Sequence, residues 1–531
     1  MRFFNTTGPV NPEDHYCLDP LSRWNLSEIL NLIGQKRYFV LHAPRQTGKT
    51  SCLLALVDLL NREGQYRAVY TNVENGQSAR ENVGEAMRAI ISALAGFAQS
   101  MLNDSFIAGR MDELLGRSGP HDALHSILSS WAASSPKPLV LMIDEADALV
   151  GDTLISLLRQ LRTGYPFRPA RFPQTVILCG VRDVRDYRIH SSTEKAIITG
   201  GSAFNIKAES LRLGDFSRTE MEQLYRQHTS ETGQVFLPEA LDMAWNLTSG
   251  QPWVVNALAY ETCFRMTEGR DRSLPITAEM MEQAGENLIL RRETHLDQLA
   301  DKLKEDRVRR VIEPLVAGEE LSEAATEDDV QYVIDLGLVR RDRSGLRIAN
   351  GLYQEVIPRQ LTFMPQLTLE NLVDQAWFVG PDGQLLITKL LESFQEFFRE
   401  NSEHWSGRFS YQEAWPQLLL QAYLQRVVNG GGQVHREYGL GRGRTDLLVV
   451  WPRPDRSGNQ KVVIELKVRR TRPLDRVIAE GLEQTASYLD RSGTAEGHLL
   501  VFDLDPAKSW DQRIFRRQEY VGRHEITLWG M

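Results

Sequence analysis

A loop near the amino terminus has the residue types and the spacing that hold phosphate groups. It reads Ala43, Pro44, Arg45, Gln46, Thr47, Gly48, Lys49 and Thr50, with Ser51 directly after it. An apolar run before the loop predicts a buried strand, and the pattern after it predicts a helix. At such a helix start the backbone N–H groups point at an anion, and Gly48 lets a phosphate approach them closely. Lys49 is expected to neutralise the phosphates and Thr50 to ligand Mg²⁺, although Ala43 stands where this loop pattern has glycine.

Two acids end an apolar run further along the chain. The run is 139–143, and Asp144 and Glu145 follow it directly. Buried carboxylates are costly unless they have partners or a task, so acids at this place indicate a function. Together with the lysine of the loop, Asp144 is placed to complete the shell of Mg²⁺ and Glu145 to polarise an attacking water. The two segments together predict a site that binds and hydrolyses ATP.

A second group of acids, with a lysine, lies on two predicted strands near the carboxyl terminus. Asp446 heads one apolar strand, directly after 442–445, and Glu465 and Lys467 lie on the next. Because side chains alternate along a strand, Glu465 and Lys467 point to the same face. The two acids are expected to hold Mg²⁺ or Mn²⁺ against a phosphodiester, and Lys467 to orient or deprotonate the attacking water. A salt-bridged β-hairpin without chemistry is the alternative interpretation.

Basic residues crowd around this second group, on a chain whose net charge is -9. Because the chain as a whole is acidic, any surface for nucleic acid must be a local patch. The basic cluster comprises Arg436, Arg442, Arg444, Lys467, Arg469, Arg470 and Arg472. The residues expected to contact nucleic acid are Arg442, Arg444, Arg469, Arg470 and Tyr488. A solvated charged face would explain the same cluster without a ligand.

The composition is typical of a soluble, cytoplasmic protein. Hydrophobic residues make up 42% and charged residues 25% of the 531 residues, as in ordinary globular chains. The four cysteines lie apart, which disfavours a zinc site or a disulfide framework and favours a reducing compartment. The first residues lack the apolar core of a signal peptide, and no apolar run is long enough to span a bilayer. We therefore expect no membrane association.

Strands that alternate with helices predict an α/β fold with a doubly wound parallel sheet in the first half of the chain. The predicted strands are 38–41, 66–73, 139–143 and 175–179, and 51–60 is the first predicted helix after the loop. Ser217 and Glu220 form the pattern of a capping box, which opens a helical stretch with one break at 250–252. Further helices and a short hairpin at 338–348 are typical of a winged-helix module. The predicted domains are a phosphate-binding core (1–213), a helical lid (214–295), a winged-helix-like module (296–365) and a second α/β domain (366–531).

The first half of the chain resembles the AAA-like and STAND-like P-loop ATPases of prokaryotes, in the branch whose loop reads PRQTGKT. The resemblance covers residues 1–290 and implies a sensor after the fourth strand, where Arg182 would reach the γ-phosphate unless it forms a salt bridge. It implies that Pro252 lies in the nucleotide-facing turn of the lid, where a plain helix breaker is the alternative. It also implies a homo-oligomer in which one subunit supplies an arginine to the next, either Arg185 or Arg188.

The last part of the chain resembles the PD-(D/E)XK nuclease superfamily over residues 375–510, especially the branch fused behind AAA-like ATPases, where GRxD precedes an ELK strand. The resemblance implies an α/β nuclease domain. Gln484 and Tyr488 match the QxxxY spacing of the superfamily and lie on one helix face, which adds Gln484 to the catalytic group. Glu413 matches the place of an additional metal-side glutamate, and Glu437 can substitute for it.

The fused architecture implies an ATPase that controls a metal-dependent nuclease, with DNA expected as the substrate rather than RNA, in prokaryotic defence against phage or mobile DNA. One alternative is a nucleotide-switched protein whose nuclease fold binds nucleic acid without cutting it. Another is an ATPase motor or loader of transposition or recombination. Intact Asp446, Glu465 and Lys467 favour the nuclease.

Overall fold

A computed structural model describes most of the chain. The described residues are 1–183, 188–191, 196–199, 204–291, 294–317, 321, 325–342, 345–361, 378–406, 419–421, 423–424, 433–440, 443–453, 458–469, 472–505 and 507–531. They fall into two compact units. The first unit comprises residues 1–291 and 331–339, and the second comprises 292–330 and 340–531.

Five parallel strands form the central sheet of the first unit, in the order β4-β5-β6-β3-β9. The strands of this unit are β1 (Phe3–Phe4), β2 (His15–Tyr16), β3 (Tyr38–His42), β4 (Arg67–Asn72), β5 (Leu139–Asp144), β6 (Thr175–Gly180), β7 (Arg188–Ser191), β8 (Ala196–Thr199) and β9 (Lys207–Arg212). Strands β5 and β6 are buried along their whole length, as expected for a parallel sheet covered on both faces. The sheet confirms the predicted α/β fold of this half, and its carboxyl edge brings the ends of β3, β5 and β6 together.

Helices cover both faces of this sheet and continue into a helical region after β9. They are α1 (Leu26–Gly34), α2 (Lys49–Glu63), α3 (Val83–Leu102), α4 (Phe106–Ser118), α5 (Ala123–Ser134), α6 (Gly151–Gly164), α7 (Arg218–Thr232), α8 (Pro238–Thr248), α9 (Pro252–Tyr260), α10 (Thr267–Arg270) and α11 (Ala278–Leu290). Helices α1 and α2 pack on one face, and α3 to α6 pack on the other. The predicted capping box is present at the start of α7, where Ser217 and Glu220 bond reciprocally.

The second unit contains a mixed sheet of six strands, in the order β12-β13-β14-β15-β17-β16. The remaining strands are β10 (Val339–Asp342), β11 (Gly345–Ile348), β12 (Gln433–Leu440), β13 (Gly443–Pro452), β14 (Asn459–Arg469), β15 (Gly497–Asp503), β16 (Phe515–Val521) and β17 (His524–Gly530). Strand β14 pairs antiparallel with β13 and parallel with β15. A parallel pair needs a crossover connection, and the helix between β14 and β15 supplies it.

The remaining helices are α12 (Thr294–Lys302), α13 (Asp306–Ala317), α14 (Glu327–Asp335), α15 (Gly351–Leu361), α16 (Ile387–Ser406), α17 (Leu474–Ser492) and α18 (Trp510–Arg513). Val477, Ile478 and Leu489 of α17 pack onto apolar residues of the mixed sheet. No helix among the described residues combines the length and the apolar character needed to cross a bilayer.

Candidate functional site

The loop between β3 and α2 passes twice through left-handed backbone conformations. Gln46 has φ 59° and Gly48 has φ 92°, and α2 begins directly afterwards at Lys49. Glycine adopts this conformation without steric cost, whereas a Cβ at Gly48 would lie 3.1 Å from Nη1 of Arg23. Because Gly48 has no side chain to cap α2, the first N–H groups of the helix can serve an anion.

Arg23, which the sequence did not single out, braces this loop from outside it. Its Nη1 donates to the carbonyl oxygen of Thr47 across 2.8 Å, and its Nη2 donates to the carbonyl oxygen of Gly214. Within the loop the Thr47 hydroxyl donates to the carbonyl oxygen of Pro44 across 2.8 Å. The loop is therefore held in shape by its own residues and by the half-buried Arg23, while Arg45 is exposed.

Lys49 folds back over the loop. Its Nζ donates to the carbonyl oxygens of Ala43 and Pro44, each at 2.9 Å, and only 7% of the residue is exposed. An ammonium group has three donors and no acceptor, so a phosphate oxygen can replace either carbonyl as its partner. The arrangement places a positive charge at the mouth of the loop.

The carboxylate of Asp144 joins three elements at the edge of the sheet. Its Oδ2 accepts hydrogen bonds from the hydroxyl of Thr50 at 2.7 Å and from the phenol of Tyr70 at 3.0 Å. Its Oδ1 accepts from the N–H of Glu145 at 2.9 Å. Asp144 is fully buried. Burial raises the pKa of Tyr70, and the nearby Asp144 carboxylate raises it further. Reasoning from the sequence predicted the contribution of Thr50 but missed Tyr70.

Glu145 directly follows β5 and has left-handed backbone angles, φ 55° and ψ 38°. Burial raises the pKa of its carboxyl group, and the neighbouring carboxylates of Asp147 and Asp144 raise it further. Asp147 also accepts a hydrogen bond from the N–H of Val181 across 3.3 Å, which ties the turn after β5 to the turn after β6. A carboxylate with a raised pKa beside a phosphate-binding loop is suited to accept a proton from water.

Arg182 lies beyond the end of β6, where Gly180 pairs with His42 at the start of the phosphate-binding loop. Its Nε lies 3.3 Å from Oδ2 of Asp335, so the predicted sensor forms an ion pair with another part of the first unit. The salt bridge that the sequence left open as an alternative is thus present, but it is buried rather than on the surface. Of the two arginines predicted to act between subunits, Arg185 lies outside the described residues, and only the backbone of Arg188 is described.

A cleft opens beside the loop, between the amino-terminal segment and the helical region after β9. The residues that line it include Thr6, Val10, Tyr16, Gly48, Pro252 and Trp253. Ser51, in the first turn of α2, also lines the cleft, and its Oγ accepts a hydrogen bond from the N–H of Val10 at 3.1 Å. Trp253 donates from Nε1 to the carbonyl oxygen of Thr6 at 3.0 Å, which ties the two walls together. An apolar cleft next to a phosphate loop suits a nucleobase and its ribose.

In the second unit, Glu465 and Lys467 lie on β14 and form an ion pair. Nζ of Lys467 lies 2.8 Å from Oε1 of Glu465, whose side chain is almost fully buried. Strand register places Leu447 of β13 opposite Ile464, so Asp446 and Glu465 are the next positions along the two strands. The backbone of Asp446 is described and its side chain is not.

The structure gives Arg469 partners within the unit. Its Nη1 lies 2.6 Å from Asp503 and 3.0 Å from Asp505, and its side chain is 11% exposed. Two carboxylates of the unit thus hold the guanidinium of Arg469, and its contact with nucleic acid stays a prediction. Arg472, from the same basic cluster, pairs with Glu480.

The remaining predicted residues of this site are only partly described. Gln484 is exposed on α17, and the half-buried Tyr488 packs against the apolar core beneath that helix. Glu413, Arg442 and Arg470 lie outside the described residues. The backbone alone is described for Arg436, Glu437 and Arg444. Among the described side chains, no group of three or more histidines, cysteines, aspartates or glutamates is arranged to hold a metal ion.

Comparison with known proteins identifies the domain around the phosphate loop. Residues 33–187 match the family model of the AAA domain. Similar solved structures include a Walker-type ATPase of Pyrococcus abyssi, with 14% identity and a TM-score of 0.47, covering 67% of this chain and 99% of that chain. The ORC2 protein of Aeropyrum pernix is 16% identical with a TM-score of 0.40, and the match covers 64% of this chain and 93% of that chain. Cdc6p from Pyrobaculum aerophilum is 15% identical with a TM-score of 0.35, and the match again covers 64% of this chain and 93% of that chain.

No curated protein matches the sequence. The family match covers the phosphate loop at the end of β3, the acids at the end of β5 and the arginine after β6. Residues 33–187 therefore form an AAA-type P-loop ATPase domain.

Proposed function

We propose that this chain binds and hydrolyses ATP with Mg²⁺, and that its nucleotide state controls a metal-dependent nuclease, acting on DNA, in the second unit. The observation that carries the first half is the convergence of Lys49, Thr50, Asp144 and Glu145 beside one loop. The nuclease half rests on the Glu465–Lys467 pair next to the position of Asp446. A role in defence against phage or mobile DNA rests on the sequence resemblance alone.

The Thr50 and Asp144 oxygens fit Mg²⁺, which prefers oxygen ligands. They lie 2.7 Å apart and belong to the start of α2 and the end of β5. Bound there, the ion would neutralise phosphate charge. Lys49 would exchange a backbone carbonyl for a phosphate oxygen, and the raised pKa of Glu145 suits it to take a proton from the attacking water.

The register of the mixed sheet supports Glu437 as the third acid of the nuclease, whereas Glu413 lies outside the described residues. Arg436 pairs with Leu447 and Tyr438 pairs with Thr445, so Glu437 lies next to Asp446 on the neighbouring strand. Carboxylates at adjacent positions of β12, β13 and β14 would provide the oxygen donors that Mg²⁺ or Mn²⁺ requires. Lys467 would supply positive charge where the phosphodiester gains negative charge during cleavage.

The test is cleavage of single- and double-stranded DNA and RNA by the full chain, with Mg²⁺ or Mn²⁺, with a chelator, and with and without ATP. We expect cleavage of DNA that the chelator abolishes. Lys467→Ala should keep nucleic-acid binding and lower the cleavage rate by a factor on the order of 100 or more. Lys461→Ala is the matched control, because Lys461 is an exposed lysine on the same strand.

Control by the nucleotide is tested by Lys49→Ala, which should abolish ATP binding. Equal cleavage by wild type and Lys49→Ala, with and without ATP, would refute control while leaving the nuclease intact. No cleavage of any substrate by wild type, in either metal, would instead favour a nucleotide-switched nucleic-acid-binding protein or a transposition or recombination ATPase.

The proposed homo-oligomer rests on the resemblance to ATPases that assemble through this domain. Light scattering with a non-hydrolysable ATP analogue is the test. A monomer under every nucleotide condition would exclude an arginine supplied by a neighbouring subunit.

A further inference from the structure

The segment 331–339 returns to the first unit from late in the chain and holds Arg182. Besides the 3.3 Å contact with Asp335, the Arg182 guanidinium lies 4.9 Å from the centroid of the Tyr332 ring. The side chains of Arg182 and Asp335 are 9% and 1% exposed. A pair this deeply buried is little screened by solvent ions. Asp335 therefore competes strongly with any other anion for this arginine.

The same segment also packs against the phosphate-binding loop. Gly337 has φ 76°, and a Cβ at this position would lie 2.7 Å from Cγ of Pro44. The backbone of Gly337 thus approaches the Pro44 ring more closely than another residue type would permit. Arg212, at the end of β9, donates from Nη2 to the carbonyl oxygen of Ile334 at 3.3 Å. One short segment is therefore fixed to the loop, to the predicted sensor and to the last strand of the sheet.

We propose that residues 331–339 form a latch that the γ-phosphate of ATP displaces. This inference rests on the proposed ATP binding and adds the regulation of that site. A phosphate bound by Arg182 would bring a second negative charge beside the buried Asp335 carboxylate, where like charges repel strongly. Arg182 therefore exchanges Asp335 for the γ-phosphate, and the segment detaches from Pro44 as it does so.

The coupling between latch and nucleotide is reciprocal. If the closed latch excludes ATP, the apparent dissociation constant for ATP rises as the fraction of molecules with an open latch falls. Weakening the latch must then tighten ATP binding, and ATP must loosen the latch to the same extent. ADP lacks the γ-phosphate, so it should be less sensitive to the latch.

Dissociation constants of ATP and ADP for the full chain provide the first test. Asp335→Asn should tighten ATP binding about tenfold, within the usual range of coupling between sites, and should change ADP binding much less. Arg212→Gln weakens the latch without touching Arg182 and should shift ATP binding in the same direction. Asp328→Asn is the matched control, because Asp328 lies on the same helix α14 and pairs with Arg307 in the second unit.

Hydrogen exchange of the 331–339 amides, in a Glu145→Gln background, provides the second test. Exchange should be faster with ATP than with ADP. Unchanged ATP binding in both variants, together with equal exchange under ATP and ADP, would overturn the latch while ATP binding itself stands. If wild type binds no ATP, the proposed ATPase function fails, and the latch fails with it. Should Asp335→Asn not fold, Arg212→Gln and the exchange measurement decide the question.

Discussion

The phenol of Tyr70 donates a 3.0 Å hydrogen bond to the oxygen of Asp144 that also accepts the hydroxyl of Thr50. The contact is possible because β4 and β5 run parallel, with Asn72 opposite Asp144, which brings Tyr70 alongside the end of β5. Tyr70 thus orients the acid expected to serve Mg²⁺ without being placed to touch nucleotide itself.

Tyr70→Phe should weaken the response of the ATPase to Mg²⁺. The substitution keeps the edge contact with Phe97 and removes only the hydrogen bond to a carboxylate, which contributes about 1.5–3 kcal/mol. The Mg²⁺ concentration for half-maximal hydrolysis should therefore rise about tenfold or more. Tyr38→Phe, which removes a buried hydroxyl bonded to the carbonyl oxygen of Pro173, is the control and should leave the Mg²⁺ response unchanged.

Glu145→Gln should preserve ATP binding and slow hydrolysis by a factor on the order of 100 to 10,000, the usual contribution of a positioned base. The amide keeps the shape of the side chain but cannot accept the proton. Binding by a fluorescent ATP analogue and phosphate release under single-turnover conditions give the two quantities. Hydrolysis at the wild-type rate would remove Glu145 from the mechanism.

Asp147→Asn should shift the acid limb of ATP hydrolysis to lower pH. Glu145 acts as a base only when ionised, so the rate falls as the pH falls through its raised pKa. Removing the Asp147 charge lowers that pKa and extends activity toward acid. Asp58→Asn, at an exposed carboxylate paired with Arg62, is the control in single-turnover profiles. An acid limb at the same pH in all three proteins would contradict the assignment.

Asn256→Leu should reduce the preference for ATP over GTP. Asn256 lines the cleft, its Nδ2 donates to the carbonyl oxygen of Pro252, and its buried Oδ1 accepts no hydrogen bond within the described residues. An acceptor in this position suits the amino group of adenine. Without it, the ratio of the affinities for ATP and GTP should fall about tenfold. Competition binding by ATP and GTP measures the ratio, and an unchanged ratio would place base recognition elsewhere.

Arg469→Ala should destabilise the mixed sheet of the second unit. The substitution removes the bonds of Arg469 to Asp503 and Asp505, so that Asp503 keeps the ion pair with Lys508. We expect the free energy of unfolding to fall by about 1–3 kcal/mol. Hydrogen exchange of the β14 and β15 amides in the full chain measures the loss. Arg517→Ala, at a half-exposed pair with Glu519, should change exchange little. Unchanged exchange, together with weaker and salt-dependent nucleic-acid binding by Arg469→Ala, would instead support contact of Arg469 with nucleic acid.

Hydrophobic patterning predicted the strands whose residues are mostly buried. Strands β3 to β6 and helix α2 lie where apolar runs and the glycine-lysine loop indicated. Strand β9 was missed because its sequence, Lys207 to Arg212, is mostly polar and half-exposed, and backbone pairing with β3 defines it as a strand. The amino-terminal strands span two residues each, too short for any periodicity.

Contacts between residues far apart in the chain could not be predicted from local pattern. The order of glycine, lysine and threonine identified the phosphate loop, but only the strand register brings Tyr70 to Asp144. Likewise, the ion pair of Arg469 depends on the parallel pairing of β14 with β15, which places Asp503 opposite it. A count of basic residues alone could not show that Arg469 was already neutralised.

The inner position of β3, between β6 and β9, has a consequence for how the protein is made. Its two neighbours, β6 and β9, are synthesised long after it, so β3 keeps at least one unpaired edge beside the phosphate loop until residue 212 has left the ribosome. The segment 331–339 belongs to the same unit but emerges only after residues 292–330 of the other. A nascent chain paused after residue 212 has emerged, but before residue 331 has, would carry a finished sheet whose nucleotide site no latch yet restrains.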